Sequence, residues 1–125
     1  MSIAAAVFFM LHGIAHLVGF VVPWKLANME DAPYKTTIFA DRIDLGDTGI
    51  RIMGIGWLLL ALAFVAAGVA ALLGVSWWPL YTVIVAAVSL VFSILGVPEA
   101  KLGVPINIVI LAVILWGMQA GWNFI

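Results

Sequence analysis

Residues 52–75 read IMGIGWLLLALAFVAAGVAALLGV, without a single ionisable side chain. A bilayer hydrocarbon core about 30 Å thick is crossed by roughly 20 apolar residues of helix. The apolarity here is continuous instead of alternating, which excludes a barrel strand and leaves a membrane-spanning helix. Working outward, charged residues stop on both sides of this stretch. Lys25, Glu30, Asp31, Lys35, Asp41, Arg42, Asp44, Asp47 and Arg51 precede it, and only Glu99 and Lys101 follow.

Those gaps in charge predict an all-α, polytopic membrane protein of four antiparallel transmembrane helices with a polar first connection. The helices fall at about 3–22, 50–75, 79–97 and 103–124, in one domain, with an interfacial cap over 25–49. Pro79 and Pro105 suit the first turns of the third and fourth helices, where a missing N–H costs nothing. The first apolar run lacks a basic start and a small-residue cleavage pattern, so it reads as a retained helix. Within the cap, residues 35–45 fit a short amphipathic helix on the membrane surface, or a bent extended segment. Asp47 or Thr48 is the expected N-cap of the second helix.

Composition agrees with this frame. Of 125 residues, 66% are hydrophobic and 9% charged, with a mean hydropathy of +1.28. Soluble domains carry about 25% charged residues. A soluble globular domain, a disordered chain and a nucleic-acid binder are therefore excluded, the last also by a net charge of −1. Without cysteine there is no disulfide framework or thiolate chemistry. Lys25, Lys35, Arg42, Arg51 and Lys101 all fall in or beside the first and third connections. The positive-inside rule then puts connections 25–49 and 98–102 in the cytoplasm and both termini outside an inner (plasma) membrane. Trp77, Trp78, Tyr81 and Trp122 would mark the outer interface, and Trp24 and Tyr34 the inner one; Trp57 and Trp116 would pack further in.

Polar residues within spans are the functional candidates, because each costs free energy unless satisfied. His12 and His16, four apart, share one helix face. His16, Arg51, Glu99 and Asn107 are expected to converge toward the inner leaflet and, with His12 nearer mid-membrane, to be the candidate ligand site for a lipid, quinone or isoprenoid. Two histidines supply two metal ligands at most, with no third indicated by spacing, so no firm metal site is expected. Haem is disfavoured, since axial ligands approach from opposite faces. Thr82, Ala86, Ser89, Ser93 and Gly96 form a small-residue stripe for helix packing, and Gly117 and Gly121 form a second, suited to contact with another chain. No carboxylate lies within a span, which disfavours proton-coupled export.

Leu11-His12-Gly13-x-x-His16-Leu17, a polar connection, and Gly54-x-Gly56-Trp57-Leu58 together resemble the DoxX-like group of four-helix membrane proteins. The segment from Pro98 to Asn107 is similar to one in small bacterial membrane proteins. The resemblance implies a four-helix membrane fold and, for part of the group, association with quinone-reducing oxidoreductases. Several of those proteins carry Glu in the second helix where Trp57 and Leu58 stand here. The expected function is thus an accessory membrane subunit that packs on other membrane chains or a second copy of itself, or binds an apolar ligand. A small quinone- or isoprenoid-directed enzyme using His12 and His16 is the alternative, and an oligomeric transporter the third. Membrane lipids are expected partners; nucleic acid is not.

Overall fold

A computed structural model describes residues 2–124. Among the described residues the regular elements are helices and one two-stranded hairpin, joined by turns and extended segments: α1 (Ser2–Ala15), α2 (Val18–Val21), β1 (Thr37–Ile38), β2 (Ile43–Asp44), α3 (Gly46–Leu73), α4 (Trp78–Leu95) and α5 (Gly103–Gln119). Three helical stretches are long and apolar enough to cross a membrane: Ile3–Val21, Gly46–Leu73 and Trp78–Leu95. The apolar α5 is shorter, at 17 residues.

α1 packs chiefly against α3, α4 against α5, and α3 joins the two pairs. Their shared core contains Phe9, Leu60, Phe64, Trp78, Ile110 and Ile114. Leu59, Leu62, Val109 and Trp116 point outward and are exposed, as expected of helices whose outer faces meet lipid. Trp116 is 69% exposed instead of packed inside, whereas Trp78 is enclosed between Phe9 and Phe124.

The first helix is interrupted where the apolar pattern gave no sign of it. His16 Nδ1–H donates to the His12 carbonyl at 2.6 Å, occupying the acceptor that the His16 backbone N–H would use in a regular helix. That N–H turns instead to Gly13 O at 3.0 Å, and Leu17 N–H to Ile14 O at 3.0 Å. The side chain replaces a backbone donor, and the helix tightens and breaks at residues 16 and 17.

α3 begins earlier than the apolar run. Leu45 occupies the N-cap position without a side-chain bond, while Asp44 accepts the Gly46 N–H at 2.9 Å. Asp47 lies in the first turn, where its charge suits the helix dipole. Gly74, at φ 66°, ends the helix in the left-handed conformation and returns its N–H to Ala70 and Ala71. α5 stops at Gln119 instead of continuing to 124: Gly121 turns at φ 72°, and Trp122 N–H reaches Gly117 O at 2.8 Å. Trp122 and Phe124 consequently fill the space over Gly117.

The cap takes the bent extended form. Thr37 pairs with Asp44 and Ile38 with Ile43 in an antiparallel hairpin. Phe39, Ala40 and Asp41 at its tip all have left-handed backbones, with φ of 54°, 54° and 64°. Their N–H groups compensate for that strain: Phe39 donates to Leu95 O at 2.6 Å and Ala40 to Val97 O at 2.9 Å. The hairpin tip thereby caps carbonyls at the end of α4 that lack helical donors.

Candidate functional site

Among the described residues six polar or charged side chains are buried, and five of them, His12, His16, Ser89, Ser93 and Asn107, form one network between the first helical stretch, α4 and α5. Asn107 is the hub. Its Oδ1 accepts His12 Nε2–H at 3.2 Å, and its Nδ2 donates to Ser89 Oγ at 2.9 Å and Ser93 Oγ at 3.4 Å. Ser89 O–H in turn donates to His16 Nε2 at 2.6 Å. Because His16 Nδ1–H points to the His12 carbonyl, its Nε2 must be the acceptor, which fixes the directions around the ring. The bonds run His12 to Asn107 to Ser89 to His16 and back to the His12 backbone. Within this ring each residue donates once and accepts once with both imidazoles neutral, and the second Asn107 N–H goes to Ser93.

Aromatic rings enclose the histidines. Phe64 lies 4.7 Å from His12 and 5.1 Å from His16, and Trp57 stands edge-on to His16 at 5.3 Å. No described buried side-chain nitrogen or oxygen lacks a partner. A network so satisfied costs little to bury and fixes helix register, whereas a half-satisfied one would be costly.

On the cap side of this network lies a cavity of about 400 Å³, within the range of small-molecule sites, about 300–1,000 Å³. His12, His16 and Ser93 stand at its inner end; Val18, Met53 and Ile106 are among its apolar walls. Lys35 and Glu99 line it from the cap and the α4–α5 connection. They form an ion pair at 2.5 Å, and Lys35 also reaches Asp41 at 3.3 Å. The hydrogen bond to Glu99 holds the Lys35 ammonium above its ordinary range despite partial desolvation. The Thr37 hydroxyl, at 2.6 Å, is the larger influence lowering Asp41, with Lys35 second. One cation therefore faces two carboxylates here.

The structure brings His12, His16 and Glu99 to the cavity and sets Asn107 directly behind them. Arg51 is not among them. It is exposed, lies over the Trp24 ring at 4.7 Å, and borders a separate shallow groove. On α3, Ile50, Met53 and Trp57 face the cavity, and Arg51 is one residue, about 100° of helix, away from Ile50.

The small-residue stripe divides. Ala86 packs in the core, and Thr82 O–H bonds back to Trp78 O at 2.8 Å. Ser89 and Ser93 belong to the polar network, and Gly96 lines the cavity. Sequence reading missed this role for the serines, and missed Trp57 and Lys35 as cavity residues. The one available signal was spacing: Ser89 and Ser93 are four apart, as are His12 and His16. Among the described residues no three His, Cys, Asp or Glu side chains gather as a metal-binding group. Compared with protein-family models, curated proteins and solved structures, the chain matches none.

Proposed function

We propose that the chain is a four-span membrane protein that binds an apolar or amphipathic ligand in the cavity beneath its cap, as an accessory subunit and not as a catalyst. The observation that carries this reading is the cavity itself, with apolar walls and a polar inner end of His12, His16 and Ser93. α5, about 26 Å long at 1.5 Å per residue, completes the four spans when tilted neighbours or its terminal turns reach the interface. Connections 25–49 and 98–102 then lie on the cytoplasmic side, where all five basic residues collect. Both nitrogens of His16 are engaged within the ring of hydrogen bonds, which favours binding over proton transfer by that residue. The likeness to the DoxX-like group belongs to the same proposal and rests on the motifs around His12, His16 and Trp57.

Native mass spectrometry in mild detergent tests the reading. The protein is expected to retain one small lipophilic molecule, and Met53→Trp, which fills the cavity from α3, to lose it. Wild-type protein free of any ligand, or a variant that carries the same mass, would overturn the proposal.

A further inference from the structure

The cavity wall offers hydrogen-bond donors that the protein does not use. Ser93 is 1% exposed. Its Oγ receives a long bond from Asn107 at 3.4 Å, but its own proton has no acceptor among the described residues. Trp57 is the second case. The indole N–H of Trp24 donates to Arg51 O and that of Trp78 to Phe124 O, whereas the Trp57 N–H has no partner among the described residues. Since no enclosed nitrogen or oxygen is unpaired, the Trp57 N–H borders open space.

Its neighbours indicate which space. One face of the pyrrole ring lies against Gly19, and a Cβ built on Gly96 would stand 3.4 Å from Cζ2. Both glycines line the cavity, as does Trp57, and the N–H lies on the ring edge joining those two contacts. Gly96 caps α4 three residues after Ser93, with its N–H returned to Phe92 O, so the two are neighbours on one side of that helix end. The hydroxyl and the indole edge thus share one wall.

We infer, resting on the ligand-binding reading above, that the cavity takes an uncharged amphiphile whose inward end is a carbonyl, its oxygen accepting from Ser93 O–H and Trp57 N–H. A carbonyl oxygen has two acceptor sites and nothing to donate, which matches two donors. An anionic head is disfavoured at either end. At the cap end one cation already serves two carboxylates. Lys35 is the one Lys or Arg among the described residues that line the cavity, so the inner end offers none. A hydroxyl would need an acceptor as well. The acceptors near the inner end are largely committed: His16 Nε2 to Ser89 and Asn107 Oδ1 to His12. Nδ1 of His12 belongs to a ring that packs on His16 and not on Trp57, and an alcohol that donated to Ser93 Oγ would leave the Ser93 proton itself without an acceptor. The tail of the ligand lies along the apolar walls toward the cap.

The test measures binding of four probes to the full chain in nanodiscs: methyl tridecyl ketone, the corresponding secondary alcohol, the alkane of equal length, and a decyl-substituted benzoquinone. The ketone is expected to bind roughly tenfold tighter than the alkane, the effect of one to two neutral hydrogen bonds. Ser93→Ala and Trp57→Phe should each lower that preference about threefold to tenfold while leaving alkane affinity unchanged. Trp57→Phe keeps a ring in place, so it serves if Ser93→Ala fails to fold. A quinone that binds more tightly than the ketone assigns the carbonyl to a quinone; one that binds more weakly assigns it to a ketone or ester lipid, and either result supports the inference. Equal binding of ketone and alcohol, or of ketone and alkane, would overturn it, as would variants that weaken all probes alike. If no probe binds, the ligand-binding reading falls with it.

Discussion

Asn107→Leu is expected to destabilise the bundle by about 2–3 kcal/mol, the most costly single change within the polar network. Asn107 makes bonds to His12, Ser89 and Ser93 and is fully buried. Hydrogen bonds between membrane helices are individually modest, about 0.6 kcal/mol on average and up to about 1.7. The larger part of the loss comes from groups left without partners, since an orphaned buried donor costs about 1–3 kcal/mol. After the substitution His12 Nε2–H has no acceptor, while Ser89 and His16 still hold each other. The cost should therefore fall mainly on His12. Unfolding titrations in mixed detergent micelles check this: adding His12→Phe to Asn107→Leu should cost less than His12→Phe does alone. Additive losses would mean that the two side chains do not act together.

Gly13→Ala is expected to cost a similar amount, about 2–3 kcal/mol, for a different reason. α1 and α3 approach so closely that a Cβ on Gly13 would lie 2.7 Å from the Ala61 carbonyl oxygen and 3.0 Å from Phe64 Cβ. A backbone oxygen inside a helix cannot rotate away, so the whole of α1 must shift, and overpacking of this kind costs about 1–3 kcal/mol. Displacing α1 from α3 also disturbs the His12–Asn107 and His16–Ser89 bonds, which tie the same segment to α5 and α4. Gly68→Ala meets Met10 Cγ at 2.7 Å and Ala6 O at 2.8 Å; turning the Met10 side chain to another rotamer relieves only the first of these contacts. The midpoint of thermal unfolding in detergent checks both substitutions. Gly13→Ala should lower it more than Ala66→Gly, a change on the exposed side of α3.

The contrast between these sites indicates how much the chain disclosed before its structure was described. α3 and α4 were legible because their apolar runs are bounded by physical stops: Gly74 and Pro79 on one side, and the charge-bearing cap on the other. The break at His16 was not legible. It comes from an imidazole capturing the carbonyl of His12, and hydropathy registers no such competition. The end of α5 was missed for a related reason. Apolar composition continues past Gln119 while Gly121 reverses the backbone and folds Trp122 and Phe124 onto Gly117. The hairpin tip carries its left-handed conformation on Phe39, Ala40 and Asp41, so the glycine signal for a tight turn was absent.

For the site, rarity was the useful guide. Few polar side chains stand within the apolar helices, so His12, His16 and Asn107 drew notice, and they meet in one network. Ser89 and Ser93 were hidden among small residues because a hydroxyl at a close helix contact looks like a packing choice. Arg51 misled because its depth was read without its direction; a single helical step turns it from the cavity onto Trp24.

The central claim is that a small amphiphile resides in the cavity between the cap and the His12–His16 ring. Photolabelling in nanodiscs with a diazirine-bearing methyl alkyl ketone, followed by peptide mapping, tests it most directly. Labels are predicted on Val18, Met53 and Ile106, and competition by the unlabelled ketone should remove them. Labels confined to outward-facing residues such as Leu59, Leu62 and Val109, unaffected by competitor, would contradict the claim.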